Sequence, residues 1–351
     1  MTDHPAEIGR LLSAYVDSFA EEHAKPVVAA RDAAITDLRS AEAEIESLRA
    51  RIDELENPRR PFIFAAEAKP RPGEPTDTAG YVMAYKRLET SLARHGGTLD
   101  GFHSFSGTAT LPFGSGGTNA VHLALGGTTP VVNAKTPNND LRNVPSGRYD
   151  AGFLALCDSW PRDRGGYLTM DHEASNPSKG IAPADYRAAW AHYARLFLSH
   201  PVSQTVTFAS VGMGFDYEPA SGRNPDDWNP LPLLSDEERT RVVLAADIYF
   251  KATDSAERGW AIKAKPFFDY VNARGYRSAI FETALNNDSD QPPHVVGPIL
   301  EGLGAYMRAE PSLELVAFYE ATGPAAGTNA WVDTSEEEAA LATWTAPIKT
   351  T

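Results

Sequence analysis

Residues 167–176 read YLTMDHEASN, and this stretch decides the predicted architecture of the chain. A glycine pair precedes a largely apolar run that ends at His172 and Glu173. A short, nearly continuous apolar run is typical of a strand covered on both faces, as in a parallel sheet. A second run, residues 277–283 (RSAIFET), ends at Glu282 in the same way. The two runs therefore predict buried strands that each carry one carboxylate to the same edge of a sheet.

Apolar runs of this kind recur along the chain after residue 60. They span residues 61–66, 100–106, 130–134, 167–171, 205–210, 243–249, 278–282 and 313–319. Helices are predicted at residues 76–95, 183–200, 256–275, 295–308 and 334–343, whereas those after the second, third and fifth runs are short or doubtful. This alternation predicts a (β/α)8 TIM barrel, an α/β fold. A doubly wound sheet is the alternative, because it shares the alternation.

Polar residues at the carboxyl ends of the runs favour the barrel, because those ends then share one rim where active sites are built. They are Glu67, His103, Asn133, Lys135, Asp171, His172, Glu173, Asp247, Tyr249, Glu282 and Glu320.

The amino-terminal part differs from the rest. Its apolar positions are spaced by alternating steps of four and three residues, at Ala34, Leu38, Ala41, Ile45, Leu48, Ile52 and Leu55. This heptad pattern predicts an α-helical coiled coil that self-associates through residues 30–56. A single helix folded back on the domain is the alternative, and the seam alone does not decide between dimer and trimer. The predicted domains are a helical stalk (1–57), a Pro-rich linker (58–61) and the barrel (62–351).

The bulk composition excludes several function classes. The formal net charge is −15 and no large Lys/Arg cluster occurs, which argues against nucleic acid as a partner. No apolar stretch is long enough to insert into a membrane, and no secretory signal is recognised. The single cysteine, Cys157, allows no internal disulfide and no cysteine-rich metal site. His172-Glu173 is not followed by a second histidine at metalloprotease spacing, and no Gly-rich cofactor motif is found, so we expect neither metal nor cofactor.

Glu173 and Glu282 form the candidate catalytic pair. Glycoside hydrolysis needs one carboxylic acid that protonates the leaving oxygen and a second carboxylate beyond the sugar ring. Strands four and seven lie across the rim of an eight-stranded barrel, so the two side chains can converge. The alternative is that both are solvated or ion-paired rim glutamates.

Further candidates surround this pair. Tyr249, at the end of the sixth run, could orient Glu282, and His172 could donate to substrate or to a carboxylate. The candidate substrate-binding residues are polar groups at strand ends or in loops and loop aromatics on which sugars could stack: His103, Asn133, Asn176, Trp160, Asp247, Tyr217, Trp228 and Glu320. Ordinary packing is the alternative for the aromatic residues.

The chain resembles glycoside hydrolase family 26, a retaining (β/α)8 family that includes endo-β-mannanases. The resemblance rests on the His-Glu pair at residues 172–173, PADYRAAW (183–190), ADIY (246–249), Trp260, FDYVNARG (268–275) and IFET (280–283). It implies that Glu173 is the acid/base, Glu282 the nucleophile, Tyr249 the residue that orients the nucleophile, and His172 the histidine before the acid. Residues 174–176 and Glu320 depart from the family pattern, so the sugar is not predicted.

A coiled coil ahead of such a barrel also resembles tail-associated proteins of bacteriophages. This implies a trimer rather than a dimer, location in the virion, other tail proteins as partners, and a host cell-surface polysaccharide as substrate or receptor. A soluble protein outside a virion is the alternative location. Two other functions remain open: a carbohydrate-binding attachment protein with the same barrel, and a structural spacer.

Overall fold

The computed structural model describes residues 4–19, 21–22, 35, 38, 62–71, 73–105, 113, 119–287, 291–320 and 334–345. By its contacts the chain divides into two compact units, Met1–Arg59 with Pro347–Thr351, and Arg60–Ala346. The first unit contains helix α1, His4–Phe19, on which Leu11, Tyr15 and Phe19 are exposed. The predicted seam at residues 30–56 lies outside the described residues, apart from Ile35 and Leu38. None of the described helices is both long and apolar enough to span a bilayer.

The second unit is a closed barrel of eight parallel strands in sequence order, which confirms the (β/α)8 prediction and excludes a doubly wound sheet. The strands are β1 Ile63–Ala68, β2 Gly101–Phe105, β3 Thr129–Ala134, β4 Gly166–Met170, β5 Val206–Met213, β6 Val242–Lys251, β7 Ser278–Asn286 and β8 Leu313–Glu320. Each coincides with a predicted run to within a few residues at either end.

Helices cover the outside of the barrel. They are α2 Thr78–Arg94, α3 Asn119–Leu125, α4 Asp150–Ser159, α5 Pro183–Ser199, α6 Asp236–Arg239, α7 Ala256–Gly259, α8 Lys265–Asn272, α9 Pro293–Arg308 and α10 Ser335–Ala342. Those after β2, β3 and β5 are short, as predicted. The helix predicted at residues 256–275 is present from Ala256 to Asn272, but a π-helical turn at Trp260–Ala264 lies between α7 and α8. Pro266 follows this turn and has no backbone N–H for a regular helical hydrogen bond.

Two layers of apolar side chains hold the barrel. The inner layer is narrow and includes Ala65, Ala209 and Ala245 beside Tyr167 and Phe281. The outer layer, between strands and helices, holds most of the large aromatic residues. Burying this apolar surface from both sides of the sheet explains why the strands read as nearly continuous apolar runs.

A β-bulge in β7 sets the direction of its last residues. Ala246 of β6 pairs with Ile280, but the next residue, Asp247, pairs with Glu282, so β7 has one extra residue. Residues of a regular strand alternate between faces, which would turn Glu282 away from the side of Phe281. The bulge lets both face inward: Phe281 joins the inner layer and Glu282 reaches the mouth.

Trp344, which follows α10, packs against side chains of β1 and β8. Its buried indole packs edge-on against Phe64 and Phe318, each with ring centroids 5.9 Å away, and donates to the Leu300 carbonyl at 2.7 Å. We expect Trp344→Ala to lower the free energy of unfolding by about 3–5 kcal/mol, as measured by urea denaturation. The half-buried Trp228 is the control, and its replacement by alanine should cost much less. A loss below about 1 kcal/mol for Trp344→Ala would contradict this assignment.

Candidate active site

The chain leaves β4 through a strained turn that points His172 into the mouth. Asp171 and Glu173 have left-handed backbone conformations, with φ of 55° and 52°. Such a conformation costs a residue with a side chain about 1–2 kcal/mol. The turn is held because the Glu173 N–H donates to the Val211 carbonyl at 3.0 Å and the Asp171 carboxylate accepts from the Thr136 N–H at 2.8 Å and its hydroxyl at 2.6 Å. Backbone strain that the surroundings maintain in this way is typical of functional sites.

His172, Asp247 and Glu282 meet at the centre of the mouth, and all three are buried. Their nearest nitrogen and oxygen atoms lie within 4.8 Å of one another. The His172 Nε2 is 3.4 Å from the Glu282 Oε1. Burial lowers the pKa of His172 well below its usual value, so this ring is neutral. The contact is therefore one between a neutral imidazole and a carboxyl group rather than an ion pair.

Tyr249 donates a hydrogen bond from its hydroxyl to the Glu282 Oε2. The two side chains come from neighbouring strands, β6 and β7, and the bulge brings Glu282 within reach of Tyr249. The hydrogen bond orients the Glu282 carboxylate and favours its ionised form.

The carboxyl groups of the mouth influence one another. Burial raises the pKa of Glu282 to about 7, against the lowering effect of the Tyr249 hydrogen bond, and the charge of Glu173 adds to the rise. Burial also raises the pKa of Asp247 well above its usual value, and the charges of Glu282 and Glu173 raise it further. Glu173, Asp247 and Glu282 are therefore close enough for their charges to influence one another.

Glu67, at the end of β1, is a further buried carboxyl beside this group. Its Oε1 lies 3.5 Å from the Lys69 Nζ, and Lys69 also donates to the Tyr319 hydroxyl. Burial raises the pKa of Glu67 to about 8 despite the lysine. Glu67 was predicted as a rim residue but not as a site residue. It lies two residues after the inward-facing Ala65, and residues two apart in a strand share a face, so the sequence did indicate that it points inward.

His103 and Asn133 line the barrel beneath the mouth, and both are fully buried. The His103 ring packs against Phe105 and edge-on against Phe281, with centroid distances of 4.9 and 6.3 Å. Burial lowers the pKa of His103 to about 3. That these two residues bind substrate stays a prediction.

The loops after β4 and β5 enclose a cavity of about 390 Å³ next to Glu173. Asn176 and Trp228 both line it, and the Asn176 side-chain amide lies 3.5 Å from the Glu173 Oε2. Arg223 forms part of its wall and is held by the Ser175 carbonyl and Asp216, each at 2.8 Å. Asn176 and Trp228 thus flank the mouth rather than line its centre.

Two predicted substrate-binding aromatics lie elsewhere, and both predictions are wrong. Trp160 follows α4 and precedes β4, where it is buried against the first residue of that strand, Gly166, at the end opposite the mouth. Tyr217 packs edge-on against Phe267 and Tyr270 of α8, at centroid distances of 4.9 and 5.2 Å, outside the barrel. Both rings are used for packing. Glu320 ends β8, and its side chain lies outside the described residues.

Lys69 and Lys179 are site residues that the sequence reading missed. The Lys179 Nζ donates to the His172 carbonyl at 2.6 Å and lies 3.7 Å from the Glu173 Oε2. Both lysines contribute to stabilising the ionised form of Glu282. Each sits two to six residues from a strand-end glutamate, but nothing in that spacing distinguishes it from a solvated lysine.

Among the residues that the structure describes, the set that could hold a metal ion is His172, Asp247 and Glu282. Metal ions bind carboxylates in the deprotonated form. In the structure, burial raises the pKa of both carboxyl groups, so a metal ion would have to displace protons from them to bind.

Comparison with solved structures identifies the same architecture in several carbohydrate-active proteins. The chain superposes on a fungal β-1,4-galactanase with a TM-score of 0.54 and 9% identity, covering 80% of this chain and 98% of that one. A modular endo-β-1,4-mannanase from Cellulomonas fimi, of glycoside hydrolase family 26, gives 0.52 and 16%, covering 80% and 70%. The shared feature is the barrel fold. A broad-specificity endoglucanase from an uncultured bacterium gives 0.53 and 10%, covering 82% and 94%. No protein-family model matches the sequence, and no curated protein matches it.

The hydrogen bond from Tyr249 sets the pH dependence expected of this site. Because it lowers the pKa of Glu282, Tyr249→Phe should raise that pKa above about 7. If Glu282 acts as a carboxylate, the acidic limb of the kcat/KM profile moves to higher pH, and activity at pH 7 falls about 10- to 100-fold. Tyr319→Phe is the matched control, because the Tyr319 hydroxyl accepts from Lys69 and does not reach Glu282. An unmoved limb in Tyr249→Phe would contradict this role.

Proposed function

We propose that the barrel is a retaining endo-glycosidase that acts on a cell-surface polysaccharide. In this proposal Glu282 is the nucleophile, Glu173 the acid/base, and Tyr249 and His172 position Glu282. The main support is that Glu173 and Glu282 face one mouth, with a tyrosine hydroxyl bonded to Glu282. A retaining mechanism requires such a pair, one group ionised for attack and one carrying the proton for the leaving oxygen.

The fold supports this proposal without deciding the substrate. Galactanase, mannanase and endoglucanase barrels superpose on this chain at similar TM-scores, so the fold does not select a sugar. Function depends on the site built on the fold. The open cavity beside Glu173 is consistent with a glycan that extends past the cleavage point, and hence with endo action.

The direct test is hydrolysis of a panel of purified polysaccharides and bacterial envelope glycans by the full chain. We expect release of reducing ends by the wild type and none by Glu282→Ala, and the first-formed product should have the same anomeric configuration as the substrate by proton NMR. Inverted configuration would contradict the retaining mechanism. Binding to a glycan without release of reducing ends from any of them would contradict the enzyme.

That second outcome would favour a carbohydrate-binding attachment protein. The raised pKa of Glu282, about 7, supports this alternative, because a nucleophile that is largely protonated below neutrality turns over slowly there. The departure from the family pattern at residues 174–176 supports it as well.

We also propose that residues 30–56 form a trimeric coiled coil that displays the barrel on a phage tail. The support is the heptad spacing of apolar residues in the sequence. Analytical ultracentrifugation of the full chain is the test: a trimer is expected, and a monomeric mass at micromolar concentration would contradict self-association.

A further inference from the structure

Two lysines face one cavity beside the proposed acid/base. Lys135 directly follows β3, and Lys179 lies in the loop after β4. Both line a cavity of about 240 Å³, together with His172, Asn139 and Ser178. Lys179 also lines the adjoining cavity of about 340 Å³ between the loops after β3 and β4. The two lysines therefore line the same cavity as His172 of the mouth.

Two negative groups, Asp171 and Glu173, lie at or beside this cavity. The carboxylate of Asp171 accepts two hydrogen bonds from Thr136, at 2.8 and 2.6 Å. Glu173 lies 3.7 Å from Lys179. Within the described part of the chain, Lys135 forms no ion pair, and its charged neighbours at the cavity are Asp171 and Lys179.

Holding two cations near one another in a partly buried space is unfavourable unless an anion lies between them. Burial lowers the pKa of Lys179, and the charge of Lys135 contributes to that lowering. The pair contrasts with the formal net charge of −15 for the whole chain. Because Lys179 is paired with Glu173, Lys135 is the cation of this cavity that can attract an acidic ligand on an otherwise acidic protein.

We propose that Lys135 and Lys179 bind an anionic substituent of the glycan, which is a carboxylate, sulfate or phosphate. The sugar that carries it lies next to the glycosidic oxygen that Glu173 would protonate. Asn139 and Ser178 supply neutral hydrogen-bonding groups at the same cavity. The substrate class is then an acidic polysaccharide. That this glycan is a substrate rests on the proposed function, whereas its binding by the two lysines does not.

The test measures binding by the full-length Glu282→Gln variant, so that no turnover is needed. The probes are polysaccharides that carry glucuronate, galacturonate, sulfate or phosphate groups, each paired with its carboxyl-reduced, desulfated or dephosphorylated form. We expect at least one acidic member to bind more tightly than its neutral partner. Adding Lys135→Gln should weaken that binding about tenfold or more and leave binding of the neutral partner unchanged. The preferred member identifies the anion as carboxylate, sulfate or phosphate.

Lys265→Gln, added in the same way, is the control, because Lys265 lies on the exposed face of α8 and pairs with Asp269. It should not change the preference. No preference for any acidic member, or equal weakening of acidic and neutral partners by Lys135→Gln, would overturn the proposal. Selective binding of an acidic glycan that the wild type never cleaves would support the lysine site while contradicting the glycosidase.

Discussion

Replacing Glu282 with glutamine is expected to lower kcat on any cleaved glycan by at least about 10⁴-fold, as is usual when a group that acts directly on the reacting atoms is removed. Glutamine keeps the size and shape of the side chain but cannot form the glycosyl ester. Its amide can still lie against Tyr249 and Asp247, so the loss would report on chemistry rather than on folding. Initial rates of reducing-end release measure the effect.

Thermal stability separates this effect from a structural one. The folded-state pKa of Glu282, about 7, lies above its reference value of 4.5, so the unfolded chain releases this proton at lower pH than the folded chain. The contribution of Glu282 to stability is therefore present below about 4.5 and is lost as the pH rises through about 7. Glu282→Gln should melt at a higher temperature than the wild type at pH 8, and the difference should shrink towards pH 5.

Glu314→Gln is the matched control, because Glu314 lies near the start of β8 and pairs with Arg277 away from the mouth. It should keep its activity. An active Glu282→Gln would contradict the nucleophile assignment. A variant that is inactive but also melts at a much lower temperature at pH 8 would contradict the account of its burial.

Replacing Glu173 with alanine is expected to lower turnover of polysaccharide about 10²- to 10⁴-fold, the usual contribution of a general acid. The loss in kcat/KM should be much smaller on aryl glycosides with acidic leaving groups, because those depart without protonation. Their kcat should still be low, because hydrolysis of the glycosyl-enzyme needs Glu173 as the base. Azide should raise kcat and give a glycosyl azide, since a small anion that needs no base fits where the carboxylate stood. Product analysis by mass spectrometry, with kcat and kcat/KM on the two substrate types, measures these effects.

Glu89→Gln, on the exposed face of α2, is the control for this experiment. It should not distinguish the two substrate types. A Glu173→Ala variant that loses activity equally on polysaccharide and aryl glycoside, and that azide does not rescue, would assign Glu173 a role other than that of the acid/base.

The barrel was predictable because each strand is covered on both faces. Solvent is absent from either side, so the strand sequence is apolar throughout, and eight such runs can be counted directly. The position of Glu173 just after β4 followed from the same pattern, whereas β7 continues four residues past Glu282, where the apolar run predicted its end. The sequence therefore predicted that carboxylates lie near these strand ends, without any information on tertiary contacts.

Residue type and sequence position did not predict the environment of the aromatic residues in loops. Trp160 and Tyr217 have the residue type and the irregular surroundings expected of a sugar platform, yet both are packed away from the mouth. A ring in a loop between a helix and the next strand lies at the amino-terminal end of the barrel, and Trp160 illustrates this. For Tyr217, only the approach of α8 decides that its ring is covered.

The sequence by itself determined the eight strands and placed Glu173 just after β4 and Glu282 within β7, because the apolar composition and the length of each run are properties of neighbouring residues. Only the tertiary structure decided that Glu282 faces inward, since a single extra residue in β7 reverses the alternation that its sequence suggests. It also decided which carboxyl groups have raised pKa values. Burial raises the pKa of Glu67, Asp247 and Glu282 together, and burial depends on residues that are far apart in the chain.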